Sequence, residues 1–245
     1  TNGTNSITVG AKADAAGIST FNFGTGADLL TMTDVDYDNA ATINGSAGGD
    51  RYILDETTVS VDTIVVSLLA GGIATNGDGF DGADNDGVVN NTTDDLTESS
   101  AASAGAGTFI AGFDQGVDKI KFDGTLEAAL ESSGTAVKVD SAGSFDLNTA
   151  GVLVVDNGVT TVADFGDLSA VITSIDAALA GGTNIAANDE IIITINKTGS
   201  LDQHGMFYFK DVGGNGDVDA NDLLSLIGII ELDAAGDMAA TDFIV

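Results

Sequence analysis

Apolar and polar positions alternate over short stretches in the first quarter of the chain. Ser6 to Val9, Ser19 to Phe23, Leu29 to Met32, Ala41 to Asn44 and Arg51 to Leu54 are rich in β-branched or aromatic residues and are bounded by Gly, Asn or Asp. This pattern predicts short strands separated by tight turns. Val61 to Ala70 is a continuous apolar-rich run that fits a buried strand or a short helix, because periodicity does not separate the two. Thr75 to Ser103 is polar and rich in Asp, Asn, Gly, Ser and Thr, the composition of a long loop or insertion. These shifts divide the chain into a β region over residues 1–74, an acidic loop or insertion over 75–107, and a β-rich domain over 108–245.

Strand signals resume at Thr108 to Phe113, Lys119 to Phe122, Ala136 to Val139 and Val152 to Val155, then at Glu190 to Asn196 and His204 to Lys210. In the last of these, Met206 and Tyr208 fall on one face and Phe207 and Phe209 on the other. One segment has helical spacing instead: Leu168, Val171, Ile172, Ile175 and Leu179 recur on one face, Asp164 and Asp167 stand before them as caps, and Gly181 and Gly182 follow as a stop. The expected fold is mainly β, with sheets of a roll or sandwich kind and one amphipathic helix at about residues 165–180. Asp219 to Val245 mixes acidic turns with apolar segments and ends Asp242, Phe243, Ile244, Val245.

Composition narrows the chemistry. The 245 residues hold 38 Asp and Glu against 7 Lys and Arg, a net charge of −31, with one His and no Cys, Trp or Pro. Such a chain cannot displace counterions from phosphates, so neither nucleic acid nor an anionic lipid surface is an expected partner. Thiolate zinc sites, iron–sulfur clusters, Cys nucleophiles and three-His metal centres are excluded by count. Oxygen ligands remain in quantity, and they suit calcium above other cations. Disorder is not expected, since 43% of residues are hydrophobic and only 18% charged. No apolar stretch approaches the ~20 residues of a spanning helix, so no membrane insertion is expected. The sequence shows no initiating Met and no basic region followed by an apolar one, which predicts an N-terminal signal peptide already removed or never used.

Four segments concentrate the acids. Phe23 to Thr31 and Gly45 to Ile53 both fit the nonapeptide G-G-x-G-x-D-x-U-x, with Asp28 and Asp50 as candidate ligands and Leu30 and Tyr52 as the apolar U residue. The competing reading of each is a Gly-rich hairpin turn before a strand. The copies lie 22 residues apart, whereas tandem copies would recur at one or two nonapeptide lengths, which argues against an extended roll. Asp78, Asp81, Asp84 and Asp86 crowd one Gly-rich stretch, as a cation seat or as a solvated, salt-screened loop. Asp211 to Asp222 places Asp211, Asn215, Asp217, Asp219 and Asp222 at positions 1, 5, 7, 9 and 12 of a calcium loop, with Gly216 at the sharp turn and Val218 as the apolar residue after it. Its competing reading is an acidic hairpin loop between two strands. Asp34, Asp36 and Asp38 alternate with Val35 and Tyr37 and read as the polar face of a half-buried strand or a ligand edge.

No catalytic set emerges, and the chain is not expected to be an enzyme. His204 is the only imidazole and precedes Gly205 in the position of an exposed strand-end residue, and no Gly-x-Ser-x-Gly elbow supplies a nucleophile. The seven basic residues are scattered and suit local ion pairs. Asn91-Thr92-Thr93 is a glycosylation sequon.

On the nonapeptides, the sequence resembles the calcium-binding repeat-in-toxin (RTX) family. Phe109 to Phe122, containing Gly116, Asp118, Lys119 and Ile120, is similar to the segment that closes β-rolls in that family, and Asp211 to Asp222 resembles the loop of dockerin modules. The C-terminal acid followed by apolar residues resembles the ending of proteins exported by type I secretion systems. The resemblance implies a degenerate calcium-binding β-roll in residues 1–74, Asp118 among the metal residues, Ca2+ as the cofactor, and export through an uncleaved C-terminal signal. The expected function is a secreted, calcium-dependent structural protein of the S-layer kind, at the cell surface or outside the cell. It would assemble with itself, with cell-surface polysaccharide as a second expected partner, into a surface layer, sheath or filament. The alternative is the secretion and calcium-folding module of a larger adhesin or hydrolase.

Overall fold

Each alternating segment folds as a strand because every second side chain then faces one side of a pleated ribbon. In a computed structural model of the protein, the described residues are 3–32, 37, 39–46, 49–54, 60–67, 108–130, 135–140, 145–146, 150–179, 183–184, 189–212, 214, 216, 218–219 and 222–245. β1 (Ser6–Thr8), β2 (Thr20–Asn22), β3 (Leu29–Met32), β4 (Thr42–Asn44), β5 (Arg51–Leu54) and β6 (Thr63–Val66) precede β7 (Thr108–Phe113) and β8 (Lys119–Phe122). The ambiguous run at 61–70 thus contains a strand, β6, whose Ile64 and Val66 are buried. The insertion expected at 75–107 and its four candidate acids lie outside the described residues, as do Asp34, Asp36, Asp38 and the Asn91 sequon.

Successive strands go to different sheets. β1, β3, β5 and β7 pair in parallel in one sheet, and β2, β4, β6 and β8 pair in parallel in a second. The chain therefore winds as a coil with one strand per sheet in each turn. Register partners Ser6, Leu29 and Arg51 in the first sheet, and Thr20, Thr42 and Thr63 in the second, are 21 to 23 residues apart. The 22-residue spacing that argued against an extended roll is the pitch of this winding: each coil holds two strands and two turns and is a few residues longer than two nonapeptides. Stacked apolar residues fill the space between the sheets. Leu30, Tyr52 and Ile110 are register partners on one side and Ile43, Ile64 and Ile120 on the other, all fully buried.

The first sheet continues beyond β7 into the C-terminal part, in the order β1-β3-β5-β7-β15-β14-β13-β11-β9. These later strands are β9 (Thr135–Val139), β11 (Ala150–Val155), β13 (Glu190–Lys197), β14 (Ser200–Lys210) and β15 (Leu223–Leu232), while β10 (Phe145–Asp146) and β12 (Thr183–Asn184) form a separate parallel pair. β16 (Phe243–Ile244) returns to the second sheet beside β8, and Phe243 stacks on Phe122 with ring centroids 6.4 Å apart. β13 reads as a continuous apolar run because both of its faces are covered. Ile192, Met206 and Tyr208 join the core between the sheets, and Ile191, Ile193, Phe207 and Phe209 face a second core. The opposite facing of Met206 and Tyr208 against Phe207 and Phe209 is as the alternation predicts.

That second core is roofed by the amphipathic helix. α1 (Ala11–Ala15) and α2 (Gly124–Ala129) are single short turns, while α3 (Leu168–Ala178) buries Leu168, Val171, Ile172, Ile175 and Ala178. Asp167 caps α3, its carboxylate accepting the Ala170 N–H at 2.9 Å; Asp164 instead accepts the Gly166 N–H one turn earlier. The Gly181–Gly182 stop lies outside the described residues. Asp167→Ala is expected to destabilise the protein by about 1 kcal/mol, the usual worth of such a cap, with urea unfolding as the measure.

Candidate functional site

Aspartates stand immediately before buried strands in both sheets. Asp28 precedes β3, Asp50 precedes β5, Asp62 precedes β6, Asp118 precedes β8 and Asp242 precedes β16; all five are buried. A buried carboxylate must be satisfied, and here backbone N–H groups of the stacked coils do most of that. Asp50 Oδ1 accepts the Asp28 N–H at 3.0 Å, and Asp28 Oδ1 accepts the Asn5 N–H at 2.7 Å and the Asn5 side-chain amide at 2.6 Å. In the second sheet Asp62 Oδ1 accepts the Ala41 N–H at 2.7 Å, and Asp118 accepts the N–H groups of Asp62 and Asp114, both at 2.9 Å. Asp242 accepts from Gly116 at 2.8 Å and Ala239 at 2.7 Å. The carboxylates thus form two ladders along the edges of the winding, each tying the start of a strand to a neighbouring coil or turn.

The first ladder carries the electrostatic tension. Asp28 and Asp50 are adjacent acids 2% and 1% exposed, and Asp28 Oδ2 is buried with no hydrogen-bond partner among the described residues. Burial, reinforced by the charge of Asp28, pushes the Asp50 carboxyl up to about 7, against the opposing pull of its hydrogen bonds from the Asp28 N–H and Tyr52. Burial and the same carboxylate hold the Tyr52 hydroxyl well above its ordinary range; it lies 3.3 Å from Asp50 Oδ2. Gly45 lets this group close up, since a Cβ there would stand 1.8 Å from Asp50 Oδ2 and 2.1 Å from the Tyr52 oxygen. Arg51 lies over the Phe109 ring, 4.4 Å from its centroid.

The Asp211 loop joins the antiparallel strands β14 and β15, the topology of its competing reading. Both carboxylates at its ends are buried. Asp211 accepts the N–H groups of Gly214 and Gly216, and Asp222 those of Val212 and Asp219. Gly216 has φ +79°, the left-handed geometry expected at the sharp turn, and Val218 is buried. Asn215 and Asp217 lie outside the described residues.

Calcium fits these sites in part. The donors are oxygens, and Asp28 Oδ2 is an open buried carboxylate oxygen beside a second acid. Against this, both oxygens of Asp118, Asp211 and Asp222 already accept backbone N–H groups. Among the described residues no three His, Asp or Glu side chains converge on one point. Of the acids singled out in sequence, the fold brings together Asp28 with Asp50 and Asp211 with Asp222, and sets Asp118 in the other ladder. Asp62, Asp242 and Asn5 were not singled out, although the recurring Asp-x-apolar triplet at Asp62-Thr63-Ile64 and Asp242-Phe243-Ile244 could have found the first two.

His204 corrects the sequence reading. It is 1% exposed because β14 begins at Ser200, which places residue 204 within the strand, under the 233–239 segment rather than at an open end. Its Nε2 lies 3.2 Å from the Gly236 carbonyl oxygen and 3.3 Å from the Asn196 side-chain amide. Lys210 supplies one local ion pair of the expected kind, with Glu190 at 2.5 Å. No helix among the described residues is long and apolar enough to cross a membrane. No protein-family model matches the chain, and no curated protein matches it either.

Proposed function

We propose that the chain is a secreted, calcium-dependent structural protein that assembles with itself into a surface layer, sheath or extracellular filament. One observation carries the calcium dependence: the Asp28–Asp50 pair is buried in a stacked coil, and among the described residues one of its carboxylate oxygens has no hydrogen-bond partner. Such a pair is held together by a proton or by a cation, and calcium binding there would be coupled to folding. The net charge of −31 adds a second demand, because subunits of that charge repel until counter-cations gather between them. Assembly and fold are therefore expected to share one ion.

The test is a calcium titration of the purified chain, followed by circular dichroism, isothermal calorimetry and electron microscopy. Calcium is expected to raise the unfolding midpoint and produce ordered assemblies, both reversed by excess EGTA. Equal unfolding midpoints with calcium and with EGTA would sink the calcium reading. Monodisperse particles at every calcium concentration would sink the assembly reading.

A further inference from the structure

We draw no further inference here: the strongest candidate, the outer face of the second sheet, where Thr20, Thr42 and Thr63 stand in register beside Asn22 and Asn44, is an unpartnered face and nothing in the structure shows what covers it.

Discussion

Gly112→Ala is expected to cost about 3 kcal/mol or more, enough to consume much of the 5–15 kcal/mol that holds an ordinary domain folded. Gly112 lies in β7, where the pairing with β15 slips: Ala111 faces Glu231 and Phe113 faces Leu232, leaving Gly112 as an extra residue. It absorbs the slip with φ +76°, a conformation costing a residue with a Cβ about 1–2 kcal/mol. On its other side the chain passes so close to β5 that a Cβ would stand 1.6 Å from the Leu54 carbonyl oxygen. Relief requires β5 and β7 to part, and those strands carry Tyr52 and Ile110 of the core. Gly116→Ala is the control: φ is +80° there but nothing lies within 4 Å of a Cβ, so only the conformational cost of about 1 kcal/mol applies. Urea unfolding of both variants separates the two contributions. Equal losses, within about 0.5 kcal/mol, would show that the close approach at Leu54 is not present.

The sequence made the coils legible residue by residue but not as coils. Leu29–Met32, Arg51–Leu54, Thr108–Phe113 and Lys119–Phe122 have the same bounds in sequence and structure, because in each a Gly or Asp turn abuts an alternating run. What local pattern cannot express is that Leu29 pairs with Arg51 rather than with the next strand in the chain. Gly3-Thr4-Asn5, Gly26-Ala27-Asp28 and Gly48-Gly49-Asp50 recur at the coil period, and a comparison at that interval would have exposed the winding. β15 was missed as a strand for the opposite reason. Lying between β14 and β7 with both faces covered, it has no alternation to read. His204 misled because Gly205 looks like a turn; the glycine is there because a Cβ would stand 2.6 Å from the Phe207 ring and 2.8 Å from that of Phe165.

The ladder aspartates were visible as acids, but their partners were not. Nothing near Asp118 in sequence announces that its carboxylate receives the N–H of Asp62, 56 residues away. Read locally, a buried acid in a Gly-rich turn has only a metal to bind. In the fold it has the backbone of the adjacent coil, which makes a structural role available to Asp118, Asp62 and Asp242 without any ion. Asp28 and Asp50 differ from these, because the two acids adjoin and the charge of one acts on the other.

That difference gives stability a pH dependence of definite sign. With the folded Asp50 carboxyl raised from 3.8 to about 7, the folded protein keeps a proton there that the unfolded chain has released. The contribution of Asp50 is therefore fully present below about pH 4, falls as pH rises toward about 7, and is level above that. The steepest fall is about 1.4 kcal/mol per pH unit. Asp50→Asn keeps an oxygen for the Asp28 N–H and a polar group toward Tyr52 while removing the titration. The variant is expected to gain on the wild type by roughly 2–4 kcal/mol between pH 5 and pH 8, read from urea unfolding of both proteins in EGTA. Taking the difference between the two proteins cancels the acids that lie away from Asp50, which are common to both. A constant difference across that range would mean that Asp50 is ionised in the fold and that the pair is satisfied some other way. Repeating the series in calcium then decides between proton and ion. If calcium occupies the same oxygens, the wild type recovers its loss at pH 8 while Asp50→Asn does not respond, since proton and calcium cannot share the carboxylate.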